Sequence, residues 1–170
     1  MTEKKADKGW EESKVKIFSV PFTEVEIQKN TTIFTTENNS SKEKIINKAF
    51  QLHAQGNISE ALKYYQHFIK QGFEDYRVFF NFGGILEDLG KSKEAELFTR
   101  KAIQIRPDFA EAYSNLGNIL KNLGKSKEAE SSYRKAIEIK PQLAESHSCL
   151  GTLLKDVGNL KEAELFTRKA

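Results

Sequence analysis

The 170-residue sequence has little cysteine and no long apolar run, and each scarcity excludes a class of protein. Its one cysteine, Cys149, excludes an internal disulfide framework and a zinc site built from several cysteines. No run approaches the roughly 18 consecutive apolar residues of a membrane-spanning helix. The charged N-terminus, MTEKKADKGW, lacks the apolar stretch of a signal peptide. The sequence therefore predicts a cytoplasmic protein with no membrane partner.

An excess of charge of one sign is also missing. The chain has 27 Lys and Arg against 24 Asp and Glu, a net charge of +3 at pH 7. A nucleic-acid-binding domain usually carries a concentrated basic surface, and this balance provides none. With 30% charged and 38% hydrophobic residues, the composition is that of a polar chain with a modest core. We therefore expect no nucleic-acid partner.

What the sequence does contain is internal repetition with a period of 34 residues. The octapeptide LGKSKEAE occurs at 89–96 and again at 123–130. The decapeptide KEAELFTRKA occurs at 93–102 and at 161–170, which is twice the period. A fixed period of about 20–50 residues indicates stacked supersecondary units. Single residues follow the same period: Ala61, Ala95, Ala129 and Ala163; Gly56, Gly90, Gly124 and Gly158; and Leu52, Leu86, Leu120 and Leu154.

Each unit is predicted to form two helices. Apolar residues in 110–123 recur at the 3.6-residue spacing of an amphipathic helix. Gly124 supplies the left-handed residue that ends this helix. A second helix follows over about 127–140, and Pro141 ends it because proline biases the preceding residue away from the helical conformation.

Small residues predict where the two helices of a unit meet. Gly83, Gly117 and Gly151 recur on the first helices, and the periodic alanines recur on the second, so that the backbones can approach closely. Asp108 lies three residues before Glu111 and is predicted to cap the first helix of the third unit in a capping box. The expected core comprises Leu52, Leu86, Leu116, Leu120, Ala129, Ala136, Leu150 and Leu154.

This pattern resembles the tetratricopeptide repeat. Residues 110–143 match each hallmark if Tyr113 stands for the usual tryptophan, whereas Thr99 and Thr167 replace the usual aromatic residue in the units before and after. The resemblance covers the array 42–170, with units 42–75, 76–109, 110–143 and 144–170. It implies an all-α fold of seven or eight helices, arranged as a right-handed superhelical solenoid of antiparallel helix pairs.

The two ends of the chain depart from the repeat. Residues 1–41 have a composition that favours disorder, and alternating apolar residues leave a hairpin or short strand around 15–27 as the alternative. The fourth unit stops at Ala170, within its second helix. A solenoid exposes an apolar face unless a capping helix covers it, which favours a fragment of a longer chain over a short protein with a frayed end.

The resemblance also implies a concave groove, lined by unit positions 2, 5, 6, 9, 12 and 13 of the first helices. In units two and three these positions supply the predicted peptide-binding residues, which are Arg77, Phe80, Asn81, Asn115, Asn118, Lys121 and Asn122. Ser114 and Ser148 take the position of Phe80 in the later units, and that position is likewise expected to face the groove.

Position 6 of the first helices is a column of asparagines, Asn47, Asn81 and Asn115, followed by Cys149. An asparagine amide both donates and accepts hydrogen bonds, so such a column can pair with the main chain of an extended peptide. The column is similar to the asparagine ladder in the repeat domain of O-linked N-acetylglucosamine transferases. The alternative is that asparagine merely tolerates an exposed position on these helices.

Motifs for catalysis, cofactors and metals are missing. GGILEDLGKS at 83–92 looks like a phosphate-binding loop, but the gap between Gly84 and Gly90 is one residue too long for that motif. The three histidines fall at different unit positions and predict no metal cluster, and His147, at the position of Tyr113, is predicted to be a hydrated packing residue. We therefore expect no catalytic residue, no cofactor and no metal.

Three functions are compatible with these observations. The first is a scaffold that binds a protein or an extended peptide and is not an enzyme. The second is the N-terminal, acceptor-binding part of a longer repeat-containing glycosyltransferase, sulfotransferase or hydroxylase. The third is a self-assembly module that associates end to end through the uncapped C-terminal helix.

Overall fold

The computed structural model describes residues 34–168, with side chains from residue 41 onward, and these residues form eight helices. The predicted all-α fold and helix number are confirmed for this part of the chain. In chain order the helices are α1 (Phe34–Ala54), α2 (Ile58–Lys70), α3 (Tyr76–Asp88), α4 (Ser92–Ile105), α5 (Ala110–Asn122), α6 (Ser126–Ile139), α7 (Ala144–Asp156) and α8 (Leu160–Thr167).

Helices that are consecutive in the chain pack in pairs, α1 with α2, α3 with α4, α5 with α6 and α7 with α8. A short turn joins the two helices of each pair, and the glycine in each turn has a positive φ, for example 74° at Gly124. The residue after that glycine closes the helix, since the Lys125 N–H donates to the Leu120 carbonyl over 2.8 Å. The periodic glycines and leucines therefore mark the same turn in every unit.

The helices of a pair approach closely at the predicted small residues. A Cβ atom placed on Gly83, Gly117 or Gly151 would lie within 3.0 Å of the side chain opposite on the second helix. That side chain is Tyr133 in unit three and a threonine, Thr99 or Thr167, in units two and four. The predicted role of these three glycines in helix contact is confirmed.

All eight predicted core residues are buried, and all of them except Ala136 belong to two clusters, one centred on units one and two and the other on units three and four. His147 joins the core, and its predicted hydrated environment is wrong. It is 4% exposed, its ring stacks on Phe166 at 5.8 Å, and its Nε2 lies 2.8 Å from the Pro141 carbonyl. A carbonyl only accepts, so Nε2 carries the proton.

The predicted helix cap at Asp108 is also wrong. Helix α5 begins at Ala110, so the N-cap residue is Phe109, and Asp108 accepts from Arg106 Nε at 3.2 Å instead. Asp75 is the aspartate that does cap a helix. It has extended backbone angles at the start of α3, and its Oδ1 accepts from the Arg77 N–H at 2.9 Å.

We expect Asp75→Ala to lower the free energy of unfolding by about 0.5–2 kcal/mol at neutral pH, because the first turn of α3 loses its cap. Burial alone would raise the pKa of Asp75, but hydrogen bonds from Arg77 and its charge outweigh burial and hold that pKa below its usual value. A pKa lowered by folding contributes stability above the unfolded-state pKa, and the contribution disappears as the pH falls through the folded-state value.

Urea unfolding at neutral pH and below about pH 4 measures this effect, since the difference between Asp75→Ala and the wild type should shrink in acid. Asp108→Ala is the matched control and should change the free energy of unfolding by no more than about 0.5 kcal/mol. Equal losses in the two variants, or a loss at Asp75 that does not change with pH, would contradict the assignment of the cap.

Helix α1 begins at Phe34, ahead of residue 42, where the sequence places the start of the array. Of residues 1–41, for which the sequence favours disorder, residues 34–41 lie in α1. The rest of that segment, residues 1–33 with the alternative hairpin, lies outside the described part of the chain, as do residues 169–170. None of the helices between residues 34 and 168 combines the length and apolar character needed to span a bilayer.

Candidate peptide-binding groove

The first helices of successive pairs form one layer, in which α5 contacts both α3 and α7. All of the predicted peptide-binding residues lie on α3 or α5, and each is at least partly exposed. We call this surface the groove and define it by Arg77, Phe80, Asn81, Asn115, Asn118, Lys121 and Asn122. The structure divides these residues into those with free polar groups and those whose polar groups are paired within the array.

Asn81 and Asn115 are the free members of the groove. They occupy equivalent positions on α3 and α5, and both are half-buried. Within residues 34–168, neither amide makes a hydrogen bond to another residue. Each amide therefore has a donor and an acceptor available at the groove surface.

The buried Tyr133 holds Asn118 in place, because its hydroxyl donates to Asn118 Oδ1 over 2.7 Å. The Cys149 thiol lies beside the same hydroxyl. Burial raises the pKa of the Tyr133 hydroxyl and of the Cys149 thiol, so both groups remain protonated at neutral pH. Asn118 Oδ1 is thus already engaged while its Nδ2 group can donate to a partner, and the raised pKa disfavours the thiolate form of Cys149 that a nucleophile needs.

Lys121 and Asn122 link neighbouring first helices. Lys121 Nζ lies 3.2 Å from Asp156 Oδ2 on α7, and Asn122 Nδ2 donates to Glu87 Oε1 on α3 over 2.5 Å. Position 12 of one unit therefore pairs with position 13 of the next at both junctions. These two side chains therefore connect α3, α5 and α7, and their role as peptide contacts stays a prediction.

The part of the groove on α3 is aromatic. The half-buried Phe80 packs against Phe109, with ring centroids 4.8 Å apart. The Arg77 guanidinium lies 5.5 Å from the Phe50 ring centroid on α1 and forms two hydrogen bonds to Asp75, of 2.8 and 3.0 Å. The charge of Arg77 is therefore already balanced, and the exposed chemistry at this place is mainly that of phenylalanine rings.

The prediction that Ser114, which takes the position of Phe80 on α5, faces the groove is wrong. It is only 1% exposed because its short side chain is covered by neighbouring residues, whereas the longer Phe80 reaches the surface. Glu87 is a groove residue that the sequence analysis missed. The repeat register alone could have identified it, since it occupies the position of Lys121 one unit earlier.

Other candidate sites have no support in the described residues. The glycine-rich segment 83–92 lies in α3, the turn after it and the first residue of α4, so its backbone amides are not arranged around a phosphate. Between residues 34 and 168, no three His, Cys, Asp or Glu side chains are grouped as metal ligands. A shallow depression of about 470 Å³ is lined by side chains of α6 alone, and its Arg134 is already paired with Glu130 and Glu162.

The fold and the groove define the class of protein, which is an array of helix pairs whose first helices line a shared surface. Comparison with family models identifies the repeat itself, since residues 76–109 and residues 110–143 each match the tetratricopeptide repeat. The chain therefore contains tetratricopeptide repeats, as its sequence pattern predicts, in the two units that carry the groove.

Solved structures share this fold. A crystal structure of MamA superimposes with a TM-score of 0.72 and 19% identity, over 79% of this chain and 78% of that one. MamA 41-end from Desulfovibrio magneticus RS-1 gives a TM-score of 0.69 and 19% identity, over 75% and 72% of the two chains.

YrrB, a tetratricopeptide-repeat protein with an unusual peptide-binding site, superimposes with a TM-score of 0.69 and 21% identity over 77% of this chain and 68% of its own. Identities this low show a shared fold and nothing about the partner. A search of curated proteins gave no match.

Proposed function

We propose that this chain is a non-catalytic scaffold that binds an extended segment of a partner protein along α3 and α5. The observation that carries the proposal is the pair of unpaired, half-buried amides of Asn81 and Asn115 at equivalent positions on neighbouring helices. Each amide can donate to a carbonyl and accept from an N–H of a peptide main chain. Tetratricopeptide repeats generally bind proteins, and the fold match to YrrB is in keeping with a peptide ligand.

Binding through the main chain would be tolerant of sequence and modest in strength. A hydrogen bond contributes only about 0.5–1.5 kcal/mol net, so affinity would accumulate over several units. The charged residues beside the asparagines add little selectivity, because Arg77 is paired with Asp75, and Glu111 with Lys140 over 2.7 Å. Selectivity must therefore come from uncharged surface or from charges that have no partner.

Replacing both amides tests the proposal. We expect the double variant Asn81→Ala/Asn115→Ala to bind selected peptides about 5- to 150-fold more weakly, which corresponds to the loss of about 1–3 kcal/mol over two residues. Pull-down from a library of linear peptides, followed by titration of recovered peptides, measures the effect. The helical circular dichroism should not change, because neither amide has a partner within the described residues.

The matched control replaces exposed amides on the second helices, Gln66→Ala/Gln104→Ala, and should leave peptide recovery unchanged. If the wild type and the groove variant recover the same peptides equally, the asparagines do not bind the main chain. If the wild type recovers no peptide at all, the scaffold does not act through linear segments.

Two other functions remain predictions. The asparagine column is in keeping with the acceptor-binding array of a larger transferase or hydroxylase. Self-association is favoured by the apolar side chains on α8, where Leu160 is 64% and Leu165 51% exposed. Binding of an extended peptide takes precedence because the unpaired polar groups lie on α3 and α5 rather than on α8.

A further inference from the structure

Gly84 lies in the middle of α3, where a glycine usually destabilises a helix relative to alanine. The packing of the fold does not explain this residue. A Cβ atom placed on Gly84 would meet nothing within 4 Å, and the backbone there is ordinary helix without a positive φ. The neighbouring Gly83 is different, since its Cβ would lie 2.7 Å from Thr99 Oγ1. Gly83 is thus needed for helix contact, whereas Gly84 leaves a space open.

The open space at Gly84 lies on the groove. Gly84 occupies the same unit position as Asn118 on α5 and Phe50 on α1. Residues three and four places apart on a helix are neighbours, so Asn81 and Phe80 flank Gly84 on one side. A segment bound through Asn81 would therefore pass directly over Gly84, with the half-buried Phe80 ring beside it.

On its other side, Gly84 is flanked by two carboxylates one helical turn further on. Glu87 accepts from the neutral Asn122 amide, and its Oε2 atom is buried without a hydrogen-bond partner in the described residues. Asp88 is exposed and forms no ion pair with any residue between 34 and 168. Since the positive charge of Arg77 is balanced by Asp75, the uncompensated charge on this part of α3 is negative.

We propose that Gly84, Phe80 and Asp88 form a subsite for a bulky apolar side chain of the bound segment, with a lysine or arginine of that segment placed against Asp88. The subsite deepens the proposed function and rests on it. The missing side chain provides the space, the Phe80 ring provides an apolar wall, and the free carboxylate attracts the basic neighbour. The partner is therefore an extended peptide that carries an apolar residue with a basic residue one or two positions away.

Selection from a phage-displayed library of random linear peptides with the full chain tests the subsite. The wild type should enrich peptides with a bulky apolar residue that has Lys or Arg within two positions. Gly84→Leu should lower the affinity for such a peptide by about tenfold or more, because the free energy of burying one apolar side chain corresponds to about that factor. A version of the peptide with alanine at the apolar position should bind the wild type and Gly84→Leu equally. Asp88→Asn should lower the affinity only for peptides that carry the basic residue.

Thermal unfolding provides a readout that does not depend on any ligand. A Cβ at Gly84 has free space, and alanine favours a helix more than glycine does. Gly84→Ala should therefore raise the melting temperature by about 2–4 °C while it lowers the affinity for the selected peptides. If Gly84→Ala lowers the melting temperature, the glycine serves packing and the subsite is refuted.

The outcomes of the selection separate the subsite from the proposed function. Peptides enriched without an apolar preference, or bound equally by Gly84→Leu, refute the subsite while the groove stands. Failure of the wild type to select any peptide refutes both.

Discussion

Tyr133→Ala is expected to lower the free energy of unfolding by about 3–5 kcal/mol, the usual loss for removing a buried aromatic side chain. Tyr133 is 0% exposed and lies against Gly117, so truncation leaves a cavity between α5 and α6. The neighbouring residue cannot fill that cavity. In units two and four a threonine takes this position and the adjacent Phe98 or Phe166 supplies a ring, but in unit three the adjacent residue is Ser132.

Chemical unfolding followed by circular dichroism measures this loss, and Tyr133→Phe is the matched control. The phenylalanine keeps the ring and removes only the hydroxyl that donates to Asn118, so we expect a loss of about 0.5–1.5 kcal/mol. A loss below about 1 kcal/mol for Tyr133→Ala would mean that the contact between α5 and α6 relaxes around the missing ring, contrary to the packing described.

Ala129→Leu has the second largest expected effect, a loss of about 1–3 kcal/mol from overpacking. Ala129 is 0% exposed on α6 and belongs to the core cluster of units three and four. The larger side chain has no free volume to enter, so the two helices of the pair must separate or adopt strained rotamers. A denaturant titration with an unchanged slope and a lower midpoint is the expected result.

The control for Ala129→Leu is Ser131→Leu, which adds a leucine at an exposed position of the same helix. It should change the free energy of unfolding by no more than about 0.5 kcal/mol. Should both leucine variants unfold with the wild-type midpoint, Ala129 would not lie at the tight contact between helices.

The repeat made the local structure predictable. A glycine, an alanine and a leucine at a fixed period specify a helix pair, because each acts within its own unit: Gly124 ends a helix, and Ala129 permits contact with the partner helix. The repeat does not specify the limits of the helices to the residue, since a shift of one residue at the start of α5 removes Asp108 from the capping position. Asp75 takes that role at α3 because there the aspartate directly precedes the helix.

The sequence by itself determined the fold, the units and the helices that carry the groove, because these depend on residues that are close in the chain. Only the tertiary structure decided which groove residues are free. Asn122 and Glu87 are 35 residues apart, and they pair because of the way neighbouring first helices lie against each other. The same packing covers Ser114 and leaves Asn81 and Asn115 without partners in the described chain. The repeat period determines the position of a side chain on its helix, but contacts between units determine which residues it touches.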